Sequence, residues 1–225
     1  RPGEVSARFP AAPPATGGHL AEALTALERD IMPGITHWNH PSFFAYFPSN
    51  TSYASILADI VASGLGVQGM SWQTSPAATE LEEVVMDWLR QMVGLSTAWT
   101  GVIHDTASTA TLCALLCARE RASKYSQNTK GLQSGEAPLV VYASEQAHSS
   151  IEKAALLAGF GRDHLRLLDT DDAHALRIDL LESAIESDSA AGLRPCAVVA
   201  TIGTTGTTAM DPLKDTAAVA KHHRL

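Results

Sequence analysis

The feature that most limits the fold of this 225-residue chain is a serial alternation that sets in near residue 100. Short apolar runs, "TGVIH", "PLVVYAS", "LRLLD" and "PCAVVAT", each give way to a stretch with helical spacing. The helices are expected from about Thr106 to Ala122, from Ser149, from Ile178 and from about Asp215. Parallel strands need a long crossover, and a helix is the usual one. Four β-α steps in series therefore predict an α/β fold, a mostly parallel sheet with helices on both faces. An apolar content of 45% supplies the material for its core. Ligands of such sheets sit outside the carboxyl ends of the strands, which directs attention to residues 104–108, 144–149 and 201–210.

The first 95 residues read differently, as an N-terminal arm and helical segment ahead of a sheet domain over 96–225. "RPGEVSARFPAAPPATGG" has too few large apolar groups to pack alone and reads as an extended arm. "HLAEALTALERDIMPG" places Leu20, Leu24, Leu27 and Ile31 on one helical face and stops at Pro33-Gly34. "THWNHPSFFAYFPSN" crowds Trp38, Phe43, Phe44, Tyr46 and Phe47 together without a sustained period, the pattern of a loop that lines a surface. "SPAATELEEVVMDWLRQMVGL" is the clearest helix, with Ser75 as N-cap, Pro76 in the first turn, an apolar stripe from Leu81 to Met92 and an end at Gly94.

Charge and composition exclude several classes. A net charge of −8 with no basic cluster removes the attraction to phosphate polyanions that nucleic-acid binding needs. No window approaches the run of about 20 apolar residues that spans a bilayer, and no apolar signal core follows the first arginines. Cys113, Cys117 and Cys196 make neither an even disulfide set nor a C-x-x-C pair, so a reduced, cytoplasmic setting is expected. His37 and His40 fall in a loop and His222-His223 at the far end, which gives no metal-ligand spacing.

Four motifs then carry the chemistry, each with a plainer alternative. "GLGVQG", Gly64 to Gly69, matches a dinucleotide fingerprint but follows a helical pattern rather than a strand, which favours a helix end with a tight glycine turn. "HDTASTATLCALLCARE" opens a helix with Thr106, Ala107, Ser108 and Thr109. Free amides, a positive dipole end and small hydroxyl residues suit a phosphate there, and ordinary N-capping accounts for the same residues. "ATIGTTGTTAMDP" is a hydroxyl-lined loop able to bond a polar ring, or simply a Gly/Thr turn. His148 precedes Ser149-Ser150-Ile151-Glu152, which fits a capping box with Ser149 as N-cap. That placement leaves His148 open as a structural or a functional residue.

Taken in order, "HWNHPSFFAYFPSN", "GMSWQTSPAATELEEVVMDWL", "GVIHDTASTATLCALL", "SEQAHSSIEKAALLAG" and "ATIGTTGTTAMDPL" resemble the aromatic L-amino-acid decarboxylases, group II of the pyridoxal-phosphate decarboxylases, over about residues 19 to 225. The resemblance implies the fold type I architecture of aspartate aminotransferase and an intertwined homodimer. It also implies pyridoxal 5'-phosphate as cofactor, with Thr106, Ala107 and Ser108 cradling the phosphate, His148 stacked on the pyridine ring in a catalytic role, and Thr205 near the 3′ oxygen with Thr201 and Thr204 close by. Trp38, Tyr46, Phe47 and Pro48 are similar to the wall of the aromatic substrate pocket, and Gln68 and Met70 to residues that reach into the partner subunit's pocket.

Three departures bear on this. His104-Asp105 stands where many members have Gln-Gly, Thr109 where they have Glu, and Met70 where several have an aromatic residue. None of Lys124, Lys130, Lys153, Lys214 and Lys221 lies in the family's Asn-x-His-Lys setting, so the chain reads as an internal piece of a longer enzyme. The expected activity of that enzyme is decarboxylation of an aromatic L-amino acid to its amine. An aldehyde synthase and a catalytically incomplete binding module are the alternatives.

Overall fold

The computed structural model describes residues 2–47, 51–133 and 135–225. Pro48 lies outside the described residues. The chain divides into two compact units, residues 1–59 and 60–225.

In the first unit, α1 (Leu20–Ala26) starts where Glu22 reaches back to accept the His19 amide at 3.2 Å. It runs on through a π turn over Leu27–Ile31 and a 3₁₀ turn over Met32–Gly34, which ends at the expected Pro33-Gly34. The arm is not merely extended. It forms a 3₁₀ turn at Ser6–Arg8, and Arg8 Nη1 donates to the carbonyls of Arg29 and Asp30 at 3.1 and 3.2 Å. Helix α2 (Tyr53–Leu65) contains the division between the units and ends at Gly66, whose φ of +60° suits glycine. "GLGVQG" is thus a helix-end turn preceded by a helix, without the strand that a dinucleotide site requires.

The second unit carries α3 (Pro76–Met92), α4 (Ala107–Ala122) and the short α5 (Gln127–Lys130), followed by β1 (Leu139–Ser144), α6 (Ser150–Leu157), β2 (Leu165–Leu168), α7 (Ile178–Ala190), β3 (Arg194–Val199) and α8 (Leu213–His223). The strands are parallel in the order β2-β1-β3. Val141 pairs with Leu165 on one side and Ala197 on the other. The β1-β3 register slips between Val140 and Val141, opposite Pro195, which has no amide to give the ladder.

Alternation along β1 builds a core on each face. Val141 and Ala143 pack with Leu115 of α4 and Ile151, Ala154 and Ala155 of α6. Val140 and Tyr142 pack on the opposite side with Leu181 and Ile185 of α7 and Val219 of α8. Chain direction reverses between β1-α6-β2 and β2-α7-β3. Right-handed crossovers therefore put α6 and α7 on opposite faces. The Tyr142 hydroxyl donates to Asp188 Oδ2 at 2.9 Å, and Arg166 grips the same carboxylate at 2.7 Å, joining β1, β2 and α7.

Two expectations need correction. The run 101–104 is not a strand: it makes no ladder with β1, β2 or β3, and the Ile103 amide donates instead to Glu82 Oε1 at 3.0 Å. Val102 and Ile103 stay 58% and 57% exposed, so the burial that would favour a strand is missing. Ser75 does precede α3, but its side chain makes no cap bond.

Candidate active site

The site follows from how the helices return to the sheet. Arg194, at the start of β3, donates to the carbonyl of Ala122 at the end of α4. Arg119, one turn earlier, donates to Ala158 O just past the end of α6 at 2.7 Å. The last turns of α4 and α6 therefore lie together at the amino ends of the strands. Sixteen residues of helix span about 24 Å, more than the length of a six-residue strand, so the first turn of α4 reaches the carboxyl ends. That end also holds the loops after β1 and β3. These strands are neighbours, yet the loop after β1 leads to α6 on one face and that after β3 to α8 on the other. Such a divergence opens a crevice, the usual ligand position in a parallel sheet.

Three groups of expected residues meet this end of the sheet. Thr106 is the N-cap of α4, and its hydroxyl accepts the Thr109 amide at 3.2 Å. The amides of Ala107 and Ser108, at the first two helical positions, have no acceptor within the helix and are free to bind an anion. Asp105 borders the same mouth. A hydrogen bond from Thr109 and one from the Thr106 backbone hold its carboxyl below the ordinary range.

His148 sits at the crevice with its ring exposed, and the capping box expected at Ser149 does not form. Ser149 has already turned helical, with φ −56° and ψ −14°, and its side chain makes no cap bond. The Ser150 amide donates instead to His148 Nδ1 at 3.2 Å, while Glu152 pairs with Arg162 at 2.8 Å. An amide can only donate, so Nδ1 accepts and the ring proton lies on Nε2. The Ser150 hydroxyl, buried, stands 2.9 Å from the same Nδ1 and fixes the ring from a second direction. Sequence reasoning missed Ser150; its signal was a second serine two residues after the histidine, where a side chain can reach back to an amide.

In the loop after β3, the three threonines separate. Thr204 is 2% exposed, and its hydroxyl accepts the Ala209 amide at 3.0 Å and meets the Thr207 hydroxyl at 2.7 Å. Its side chain is taken up inside the loop, whereas Thr205 is exposed and Thr201 half-buried.

The pocket residues are less gathered. Trp38 stacks on Phe43 at 5.1 Å and on Tyr46 at 5.4 Å within the first unit, and Phe47 is exposed beside them. Gln68 and Met70 are exposed in the second unit, Gln68 through its carbonyl accepting the Thr74 hydroxyl at 2.8 Å.

Residues 2–225 match the model of the pyridoxal-dependent decarboxylase conserved domain. The chain belongs to the pyridoxal-dependent decarboxylase family. It is 44% identical over 224 residues to the aromatic-L-amino-acid decarboxylase of Sus scrofa, covering 95% of this chain and 46% of that one. It is 42% identical over 236 residues to the histidine decarboxylase of Drosophila melanogaster, covering all of this chain and 28% of that one. Among solved structures it is similar to the 4-hydroxyphenylacetaldehyde synthase of Rhodiola rosea, with a TM-score of 0.92 and 36% identity, covering 100% of this chain and 49% of that one. The chain thus spans less than half the length of these relatives.

As in its relatives, the architecture is that of fold type I pyridoxal-phosphate enzymes, and pyridoxal phosphate is the cofactor of the family. The donor set fits such a group. Two free amides at a helix mouth with the hydroxyls of Thr106 and Ser108 suit a phosphate, and an exposed, oriented imidazole suits a flat ring.

Proposed function

We propose that the protein containing this chain decarboxylates an aromatic L-amino acid to the corresponding amine with pyridoxal phosphate, as a cytoplasmic homodimer. The observation that carries the reading is the oriented His148, fixed by Ser150 in the crevice between β1 and β3, at the end of the sheet where α4 opens its free amides. When bound, the cofactor supplies an electron sink for the pair left behind as CO₂ departs.

The chain's own residues bind and orient. Ala107 and Ser108 would donate their amides to the phosphate, aided by the Thr106 and Ser108 hydroxyls. His148 would lie against the ring and present the proton on Nε2. Thr205 would donate from the loop after β3, with Thr201 beside it; Thr204 contributes by shaping that loop. The stacked faces of Trp38, Phe43 and Tyr46 support an aromatic substrate, and Phe47 would add to that apolar surface. Gln68 and Met70 would serve the partner subunit's pocket; Met70, 81% exposed, is free to do so.

Replacing His148 by alanine in the full-length enzyme is the test. Turnover should fall about a hundredfold, the scale of a lost proton-handling group. Unchanged turnover and cofactor affinity would remove the role. The likeness to the Rhodiola rosea structure favours a second reading, an aldehyde synthase that couples decarboxylation to oxidative deamination. Ammonia and peroxide appearing in step with product would establish it; amine without either supports the decarboxylase.

A further inference from the structure

Asp211 closes the "ATIGTTGTTAMDP" motif without a role assigned to it, and it is 4% exposed at the base of the loop that carries Thr201 and Thr205. Its Oδ1 accepts the Leu176 amide at 2.8 Å and its Oδ2 the Thr201 amide at 2.7 Å, while its own amide donates to Thr201 O at 2.9 Å. Leu176 lies in the connection between β2 and α7, so one carboxylate joins two loops at the carboxyl end of the sheet. Among the described residues no ion pair neutralises Asp211, and the two amides are its recorded side-chain partners. A buried carboxylate is costly unless it is hydrogen-bonded, so these bonds resist being broken.

The rest of the loop hangs on that base. Gly203, at φ +79°, and Thr204 both donate their amides to Ala209 O, at 2.9 and 3.0 Å. Ala209 returns its amide to Thr204 Oγ1, and the Thr208 amide donates to Thr204 O at 2.8 Å. This turn folds Thr204 inward and leaves Thr205 outside.

We propose that Asp211 is a positioning residue: it fixes the base of the 201–210 loop, couples that loop to the β2-α7 connection, and so sets where Thr201 and Thr205 face the cofactor. The proposal rests on the pyridoxal-phosphate reading above. If the loop loses its shape, binding must first select the competent form, and apparent affinity falls by the fraction of molecules that still hold it.

The experiment uses the full-length enzyme with Asp211→Asn and Asp211→Ala, titrated with pyridoxal phosphate by absorbance and followed by amide hydrogen exchange without cofactor. Asn keeps one acceptor and turns an N–H against the other amide, so it tests the idea even where Ala does not fold. The expected result is about a tenfold or greater loss of cofactor affinity for Asn, the scale of one lost hydrogen bond to a charged group. Exchange should quicken together in 170–176 and 201–209 and stay unchanged in α4 and α6. Equal affinity, or loosening that spreads into α4 and α6, overturns the positioning role. Wild-type enzyme that takes up no pyridoxal phosphate overturns the functional reading, which is distinguishable from wild-type uptake matched by Asp211→Asn.

Discussion

The sheet with its flanking helices and the first hundred residues use similar apolar side chains to opposite ends. In the sheet unit, Val140, Val141, Tyr142, Leu181 and Ile185 are 0% exposed. Earlier in the chain, Leu20 is 76% exposed, Phe44 91%, Tyr53 90%, Leu65 71%, Leu81 62% and Met92 78%. Both regions form their helices, so local pattern is not what separates them. What separates them is a partner: β1 offers each face of the sheet to a helix, while among the described residues the apolar side chains of α2 and α3 stay largely exposed. Monomeric proteins seldom leave large apolar faces open, so the exposed apolar stripe of α3 fits the proposed homodimer.

The largest effect expected is in the sheet. Asp188→Ala leaves the buried Tyr142 hydroxyl and the part-buried Arg166 without their shared partner, and losing both bonds at once should cost about 3–5 kcal/mol. Urea unfolding measures it. A loss below about 1 kcal/mol would show that the triad is screened and that the two regions differ less than their burial suggests.

Next comes a matched pair of leucines. Leu181→Ala in α7 should cost about 2–5 kcal/mol, whereas Leu81→Ala in α3, 62% exposed, should cost under about 1 kcal/mol in dilute protein. Repeating the Leu81 measurement at rising concentration sharpens the comparison. A cost that grows with concentration means that another copy covers α3.

How much of this was legible in sequence follows the same division. The helices from Thr106, Ser149 and Ile178 and the strands at 139–144, 165–168 and 194–199 match their patterns, because a buried parallel strand leaves an uninterrupted apolar run. "GVIH" has the same composition and fails, since a strand needs a neighbour and composition cannot supply one. The helix opening at Thr106 was legible because capping is local. The partner of His148 was not: Ser149 and Ser150 are the same residue type, and only backbone angles decide which reaches the imidazole. Asp211 was invisible for a different reason, since its partners Leu176 and Thr201 are brought together by the fold.

A smaller effect should appear at alkaline pH. Burial, then the hydrogen bond to Asp188, raises the Tyr142 hydroxyl above its ordinary pKa. A raised folded-state value makes the neutral phenol's contribution complete below pH about 10 and lost as the pH climbs beyond it. Unfolding curves of Tyr142→Phe should therefore decline less between about pH 9 and 11 than those of the wild type. An equal decline would assign the alkaline loss to other groups.

The smallest effect concerns Asp105, where the sheet unit meets solvent. A helix mouth attracts one anion readily, and the Asp105 carboxylate already accepts bonds there from Thr109 and the Thr106 backbone. A phosphate bound at Ala107 and Ser108, as proposed above, would have to share that positive end with this charge. Asp105→Asn keeps an acceptor and removes the charge. Cofactor affinity in the full-length enzyme should then rise about two- to fivefold, the scale of a helix dipole acting on an exposed anion. Added salt should narrow the gap between the two proteins, because exposed charges are screened within about 10 Å at 0.1 M. Weaker binding by the Asn variant would reverse the sign and make Asp105 a residue that orders the turn for the phosphate rather than one that competes with it.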